Sequence, residues 1–204
     1  MSRKNKKKET ENILKPIKKA AGYILVDPKK CQGCLSCMLA CSLAHEGLES
    51  LSLSRIQVTQ NSFEKWPDDL MIYQCRQCVE APCVHACPYS ALRADPENGY
   101  VRMVDREKCI GCGKCVRACP YQPGGPIASA DRAYEGQKKS RKCDLCADTP
   151  FWEETGGVGG KQICIEVCTL NAISYTTDTP EQSDDGYRVN LRDEDWGKLG
   201  FPTD

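Results

Sequence analysis

Cys109-Ile-Gly-Cys112-Gly-Lys-Cys115-Val-Arg-Ala-Cys119-Pro120 places four thiols and a proline within twelve residues. The spacing C-x2-C-x2-C-x3-C-P is one at which thiolates hold cubane iron–sulfur clusters. Cys109, Cys112 and Cys115 can bind three irons of one cluster from a single tight loop. Cys119, on a short helix and displaced by the proline, points toward a neighbouring cluster, so the stretch demands a companion.

Three further sets lie outward from it. Upstream is Cys75-Arg-Gln-Cys78-Val-Glu-Ala-Pro-Cys83-Val-His-Ala-Cys87-Pro88, whose middle gap is widened to four residues, with Pro82 stiffening the longer path. Further upstream, Cys31-Gln-Gly-Cys34-Leu-Ser-Cys37-Met-Leu-Ala-Cys41 is compact, but Ser42 stands where proline is expected. Downstream, Cys143-Asp-Leu-Cys146 is separated by seventeen residues from Cys164-Ile-Glu-Val-Cys168, and Thr169 follows in place of proline. That gap contains Gly156-Gly-Val-Gly-Gly160, which lacks the Gly-Lys-Ser/Thr ending of a phosphate loop and reads as a flexible insertion.

These sets use all 16 cysteines of the 204 residues, and there are only two histidines and three phenylalanines. The chain is short of aromatic core material, so something besides apolar packing must stabilise it. Its 28 basic and 28 acidic residues cancel. The start Met-Ser-Arg-Lys-Asn-Lys-Lys-Lys has no apolar signal segment, which argues for a cytoplasmic protein and against a disulfide scaffold. No run reaches the ~18 apolar residues of a membrane span. Residues 1–21 read as a flexible basic arm without the aromatic interleaving of a nucleic-acid binder, and 192–204 as an acidic tail.

Apolar runs place strands at Gly22–Asp27, Arg55–Thr59 and Leu70–Tyr73, with a hairpin of Ala91–Asp95 and Tyr100–Asp105 around Pro96–Gly99. A closing hairpin is expected from Ala172–Thr176 and Tyr187–Leu191. Tyr121–Pro126 is too rich in Pro and Gly for a regular element. His45, beside a complete cysteine set, reads as a hydrogen-bond donor near a cluster rather than a ligand.

The sets are related in pairs. Val26-Asp27 through Cys34 matches Val104-Asp105 through Cys112, displaced by 78 residues, and Cys83–Cys87 matches Cys164–Cys168, displaced by 81. A two-cluster unit has been duplicated. Two hints suggest how the sets share modules. Cys87 and Cys109 are 22 positions apart, room for one hairpin, and proline follows only Cys87 and Cys119. We therefore expect an α+β fold of two interlocked ferredoxin-like modules rich in loops, an inner one at 70–127 and an outer one built from 22–60 with 140–191. The ligand sets would be Cys75, Cys78, Cys83 with Cys119, and Cys109, Cys112, Cys115 with Cys87. The outer pair would be Cys31, Cys34, Cys37 with Cys168, and Cys143, Cys146, Cys164 with Cys41.

Structural zinc also takes four thiolates, but its sites usually come as two separated pairs, unlike the compact sets here. Four [4Fe–4S] clusters are the expected cofactors. No catalytic site is expected, because every cysteine is assigned and no nucleotide or pterin fingerprint is present. Lys108, Lys114, Arg117 and Arg76 lie near the inner sets and read as solvated surface before they read as potential-setting charges.

With Cys75-Arg-Gln-Cys78, Ala81-Pro-Cys83, Cys87-Pro88, Cys119-Pro-Tyr121, Gly125-Pro126 and Lys142-Cys143-Asp-Leu-Cys146 in place, residues 22–177 resemble the four-cluster electron-transfer subunits of molybdenum and tungsten oxidoreductases. The resemblance implies a relay between a larger subunit holding a molybdenum or tungsten pterin cofactor and an outside carrier or flavin subunit. Cys37-Met-Leu-Ala-Cys41-Ser-Leu-Ala-His45-Glu46-Gly47 narrows it toward the small subunits of tungsten aldehyde oxidoreductases and class II benzoyl-CoA reductases. Polyferredoxins of hydrogenases or formate dehydrogenases, or a free-standing polyferredoxin, are the alternatives.

Overall fold

The computed structural model describes residues 17–66 and 68–180. Its strands are short and form four antiparallel pairs. Strand β1, Tyr23–Val26, is aromatic and β-branched, and Tyr23, Ile24 and Val26 are buried. It pairs with the last described strand, β8, Ile173–Thr176, from Tyr23 opposite Thr176 to Val26 opposite Ile173. Of the expected closing hairpin, Ala172–Thr176 runs beside β1, and Tyr187–Leu191 lies outside the described residues. An apolar strand early in the chain needs its ladder satisfied, and the buried Ile173 covers it.

β2, Gln57–Gln60, pairs with β3, Leu70–Tyr73, and Val58 stands opposite Ile72. β4, Leu92–Asp95, and β5, Val101–Val104, form the expected hairpin, turned by Pro96–Asn98 and Gly99. β6, Ile127–Ala130, and β7, Lys138–Arg141, form a hairpin that has no apolar signature. β7 reads Lys-Lys-Ser-Arg, yet Lys139, Ser140 and Arg141 are buried.

Four α-helices among the described residues complete the frame: α1 Ser36–Glu46, α2 Pro82–His85, α3 Lys114–Ala118 and α4 Ile163–Glu166. α1 stops at Gly47, whose left-handed backbone returns its N–H to Leu43 O at 2.9 Å. Helix α1 packs on α4, and α2 packs on α3. The main core joins Ile24, Val26, Met38, Val58, Ile72 and Leu145 to the buried thiols of Cys37, Cys41 and Cys164. A smaller core holds Ala81 and Leu92 with Cys83 and Cys115. Cysteine thus occupies interior positions that aromatic residues would otherwise fill.

Buried charges tie α1 to β7 and to the Cys143 loop. Arg55 reaches Asp144 at 2.7 Å, and Arg141 lies 3.0 Å from Glu46 and 3.1 Å from Asp131. Arg106 joins Glu46 at 2.7 Å. Such charges are tolerated inside only while every partner stays in place.

Two expectations about mobility change. Residues 17–21, placed with the basic arm, are anchored: Ile17 N–H donates to Val79 O at 3.0 Å and Ala21 N–H to Gly99 O at 2.9 Å. The apolar Ile17 and buried Ala20 explain why the segment lies down there. The glycine-rich insertion is also tied, by Gly157 N–H to Leu145 O at 2.7 Å and by Gln162 Nε2 to Gly157 O at 2.9 Å.

Candidate metal centres

Each C-x-x-C loop carries a left-handed residue at its third position: Gly33 at φ 68°, Gln77 at 47°, Gly111 at 71° and Leu145 at 58°. The reversal turns the chain so that its amide faces the first thiol. Gly33 N–H and Gln77 N–H both lie 3.4 Å from the sulfurs of Cys31 and Cys75. Gly111 has a second reason to be glycine, since a Cβ there would run into the Lys138 carbonyl.

These loops and the helices gather the thiols in groups. Cys31, Cys34, Cys37 and Cys168 line one cavity together with Leu35, Val58 and Ile173. Another is lined by Cys41, Cys143, Cys146 and Cys164 with Ile24 and Leu145. Cys87, Cys109, Cys112 and Cys115 line a third, beside Tyr89 and Ile110. Cys75, Cys78, Cys83 and Cys119 make the fourth group, in which Cys75 and Cys119 both oppose the ionisation of Cys78 and Cys83. Cys37 and Cys41 stand one turn apart on α1 yet face different cavities, and Cys83 and Cys87 divide in the same way.

The electrostatics explain what such groups can hold. Burial, and then repulsion from Cys31, Cys168 and Cys34, pushes the Cys37 thiol up to about 12. Burial and the neighbouring thiols likewise carry Cys83 to about 12 and raise Cys164 well above the ordinary thiol range. Four thiolates cannot share such a cavity alone. Cationic iron removes the penalty, and deprotonation is then coupled to binding. The donor set of four soft sulfurs per cavity, exposed only at Cys34 and Cys112, fits an iron–sulfur cluster.

Two family models, both described as 4Fe-4S dicluster domains, match residues 23–88 and 69–178. The chain belongs to the 4Fe-4S dicluster family. Two dicluster domains and 16 cysteines give this dicluster protein four [4Fe–4S] clusters. It is 40% identical to the aliphatic sulfonate oxidoreductase polyferredoxin-like subunit of Pyrococcus furiosus, over 72% of this chain and 70% of that one. It is 34% identical to the thiosulfate reductase electron transfer subunit PhsB of Salmonella typhi, over 75% of this chain and 74% of the relative. A solved active site complex BamBC of benzoyl coenzyme A reductase, in complex with zinc, is 21% identical over 82% of this chain and 85% of that one, at a TM-score of 0.37, too distant a likeness to fix fold or partner.

Around the dicluster framework, several polar residues stand where spacing alone does not point. Ser140 N–H lies 3.3 Å from the Cys109 sulfur, and its hydroxyl lies 3.2 Å from that of Cys115. Arg55 N–H lies 3.4 Å from the Cys41 sulfur. His45, read from sequence as a donor, is buried, with Nδ1 2.7 Å from Cys41 O and Nε2 3.1 Å from Asp144. Burial and Arg55 oppose its charge, but Asp144 and Cys41 outweigh them and push it up to about 9, so both ring nitrogens donate at neutral pH. Gln77, fully buried, donates from Nε2 to Cys143 O at 2.9 Å and accepts from Arg102 N–H at 2.8 Å.

Of the four cations singled out from sequence, Lys108 is exposed and paired with Asp105 at 3.0 Å. Arg117 donates to Cys112 O at 3.4 Å, Lys114 borders the Cys112 cavity, and Arg76 stacks 3.8 Å from the Tyr121 ring. Arg55, Lys139 and Arg141 are buried too, but the buried cations set against the Cys75–Cys83 loop are Lys142 and Arg102. Burial works against Lys142, yet the thiolates of Cys75 and Cys83 outweigh it and keep its ammonium protonated. A basic residue directly before a C-x-x-C pair was the available sequence signal.

Proposed function

We propose that the protein is a non-catalytic electron-transfer subunit that links a larger catalytic oxidoreductase chain to an external carrier. Its ligand sets on this reading are Cys31, Cys34, Cys37, Cys168; Cys41, Cys143, Cys146, Cys164; Cys75, Cys78, Cys83, Cys119; and Cys87, Cys109, Cys112, Cys115. The observation that carries it is the sharing of each helical cysteine pair between two cavities, which sets the groups side by side in series. The clusters supply one-electron exchange. Neighbours across the groups support an order: Cys37 lies close enough to Cys164 to oppose its ionisation, and Cys75 acts likewise on Cys143. The series therefore runs from the Cys34 group, through those of Cys146 and Cys78, to the Cys112 group.

Both ends reach the surface, since Cys34 and Cys112 are the two exposed thiols among the sixteen. Leu39 and Leu170 are exposed near the first end, and Tyr89 and Ile110 near the second. These are the places where electrons would enter and leave. In this reading 70–127 is the inner module, and 22–60 with 140–191 is the outer one; the β4–β5 and β1–β8 pairings and the helix pairs α2–α3 and α1–α4 support that division.

The relatives named as subunits of sulfonate oxidoreductase and thiosulfate reductase support the presence of a catalytic partner. A molybdenum or tungsten pterin chain, of the aldehyde oxidoreductase or benzoyl-CoA reductase kind, is the narrower proposal and rests on Cys37–Gly47. Sixteen unpaired thiols favour the reducing cytoplasm, and no helix among the described residues is long and apolar enough to cross a membrane.

Anaerobic co-purification tests this. A brown complex with roughly sixteen irons per copy of this chain, and tungsten or molybdenum on a larger chain, is the expected result. A chain that purifies alone with full iron would point to a free-standing polyferredoxin, and zinc in place of iron would sink the relay.

A further inference from the structure

Lys142 follows β7 and is buried to 2% exposure at the seam between the second and third groups of the series. Its Nζ donates to Arg102 O at 2.8 Å and to Cys143 O at 3.0 Å. Arg102, also buried, donates from its guanidinium to Cys78 O at 2.7 and 3.1 Å. Gln77 closes the seam through Cys143 O and the Arg102 amide. Two buried cations thus sit against the Cys75–Cys83 loop, and no carboxylate is hydrogen-bonded to either of them among the described contacts.

The surroundings of the other groups differ. The Cys143 loop carries Asp144, whose negative charge is matched by Arg55 and His45. Cys31 meets Asp69, the Cys115 sulfur meets the neutral hydroxyl of Ser140, and the buried Lys139 donates from Nζ to Cys109 O at 2.8 Å, so the Cys109 group also has one buried cation beside it. The Lys142 ammonium is also hydrogen-bonded to the Cys75 sulfur and lies near the sulfurs of Cys83 and Cys78, all of the Cys75 group. A fixed positive charge in a low-dielectric interior favours the more negative, reduced state of whatever it faces.

We infer that Lys142 raises the reduction potential of the cluster held by Cys75, Cys78, Cys83 and Cys119. This rests on the relay reading above. The step is one electron received from one neighbouring cluster and one passed to the other, with no bond made or broken. Its role is positional: it touches no substrate and acts through its charge.

The test is a redox titration followed by electron paramagnetic resonance on the full chain, purified anaerobically with whatever subunit it retains. Lys142→Met, Lys142→Gln and Lys142→Arg are compared with the unaltered chain. With full iron retained, Met and Gln should lower the midpoint of one cluster by at least a tenfold change in its reduced-to-oxidised ratio, ~59 mV for a one-electron couple. The Arg variant should restore it, and the other midpoints should move less. Unmoved midpoints in the neutral variants would overturn the inference. So would loss of iron in both neutral variants with retention in Arg, which would make Lys142 an assembly residue. Failure of the relay reading looks different, because the unaltered chain would then purify without a larger chain, whatever the midpoints of its variants.

Discussion

Gly111 and Gly113 lie two positions apart in the same ligand loop, both left-handed, and the structure separates their roles. A Cβ at Gly113 would meet only the end of Arg117, at 3.5 Å, so Gly113→Ala should cost about the left-handed penalty alone, ~1–2 kcal/mol. Gly111→Ala adds a collision with the Lys138 backbone and should displace β7 from the Cys109 loop. Iron analysis should show roughly one cluster fewer in Gly111→Ala and full iron in Gly113→Ala; equal iron in both would refute the distinction. The cysteines were legible from spacing alone, because four thiols at ligand intervals have few other uses. Ser140 and Gln77 were not, since their partners are sulfurs and carbonyls that come within reach only after folding, and Lys142 was marked only by its place before a C-x-x-C pair. A buried polar residue leaves no apolar periodicity to read.

Helix α1 shows how one element couples two sites. Its eleven residues present Cys37 to one cavity and Cys41 to the next, while α4 carries Cys164 and the following Cys168 returns the exchange. Double variants test this sharing. Cys37→Ala with Cys168→Ala should remove one cluster, roughly four irons, whereas Cys37→Ala with Cys41→Ala should remove two, roughly eight. Equal losses would break the proposed division of the helix. The strand pairs show the limits of local reading. β4–β5 was visible because a Pro-Glu-Asn-Gly turn joins two apolar runs. β1–β8 was not, because its partners are more than a hundred residues apart, and the polar β7 gave no strand pattern at all.

At the scale of the molecule, the weak aromatic core noted in the sequence is answered by thiols built into the two larger hydrophobic clusters. Fold and cofactor are thus one thermodynamic event, and stability belongs to the metallated chain. The exposure of Cys34 and Cys112, described above as the ends of the series, has a further consequence for damage. Oxygen reaches a cluster through its exposed sulfur, while Cys41, Cys146 and Cys164 lie under protein. Brief air exposure should therefore bleach the two end clusters first, with the Cys41 group the last to lose its signal. Such a wire goes silent before it comes apart: its contacts with the outside fail while the interior remains chargeable, and repair need rebuild only the tips.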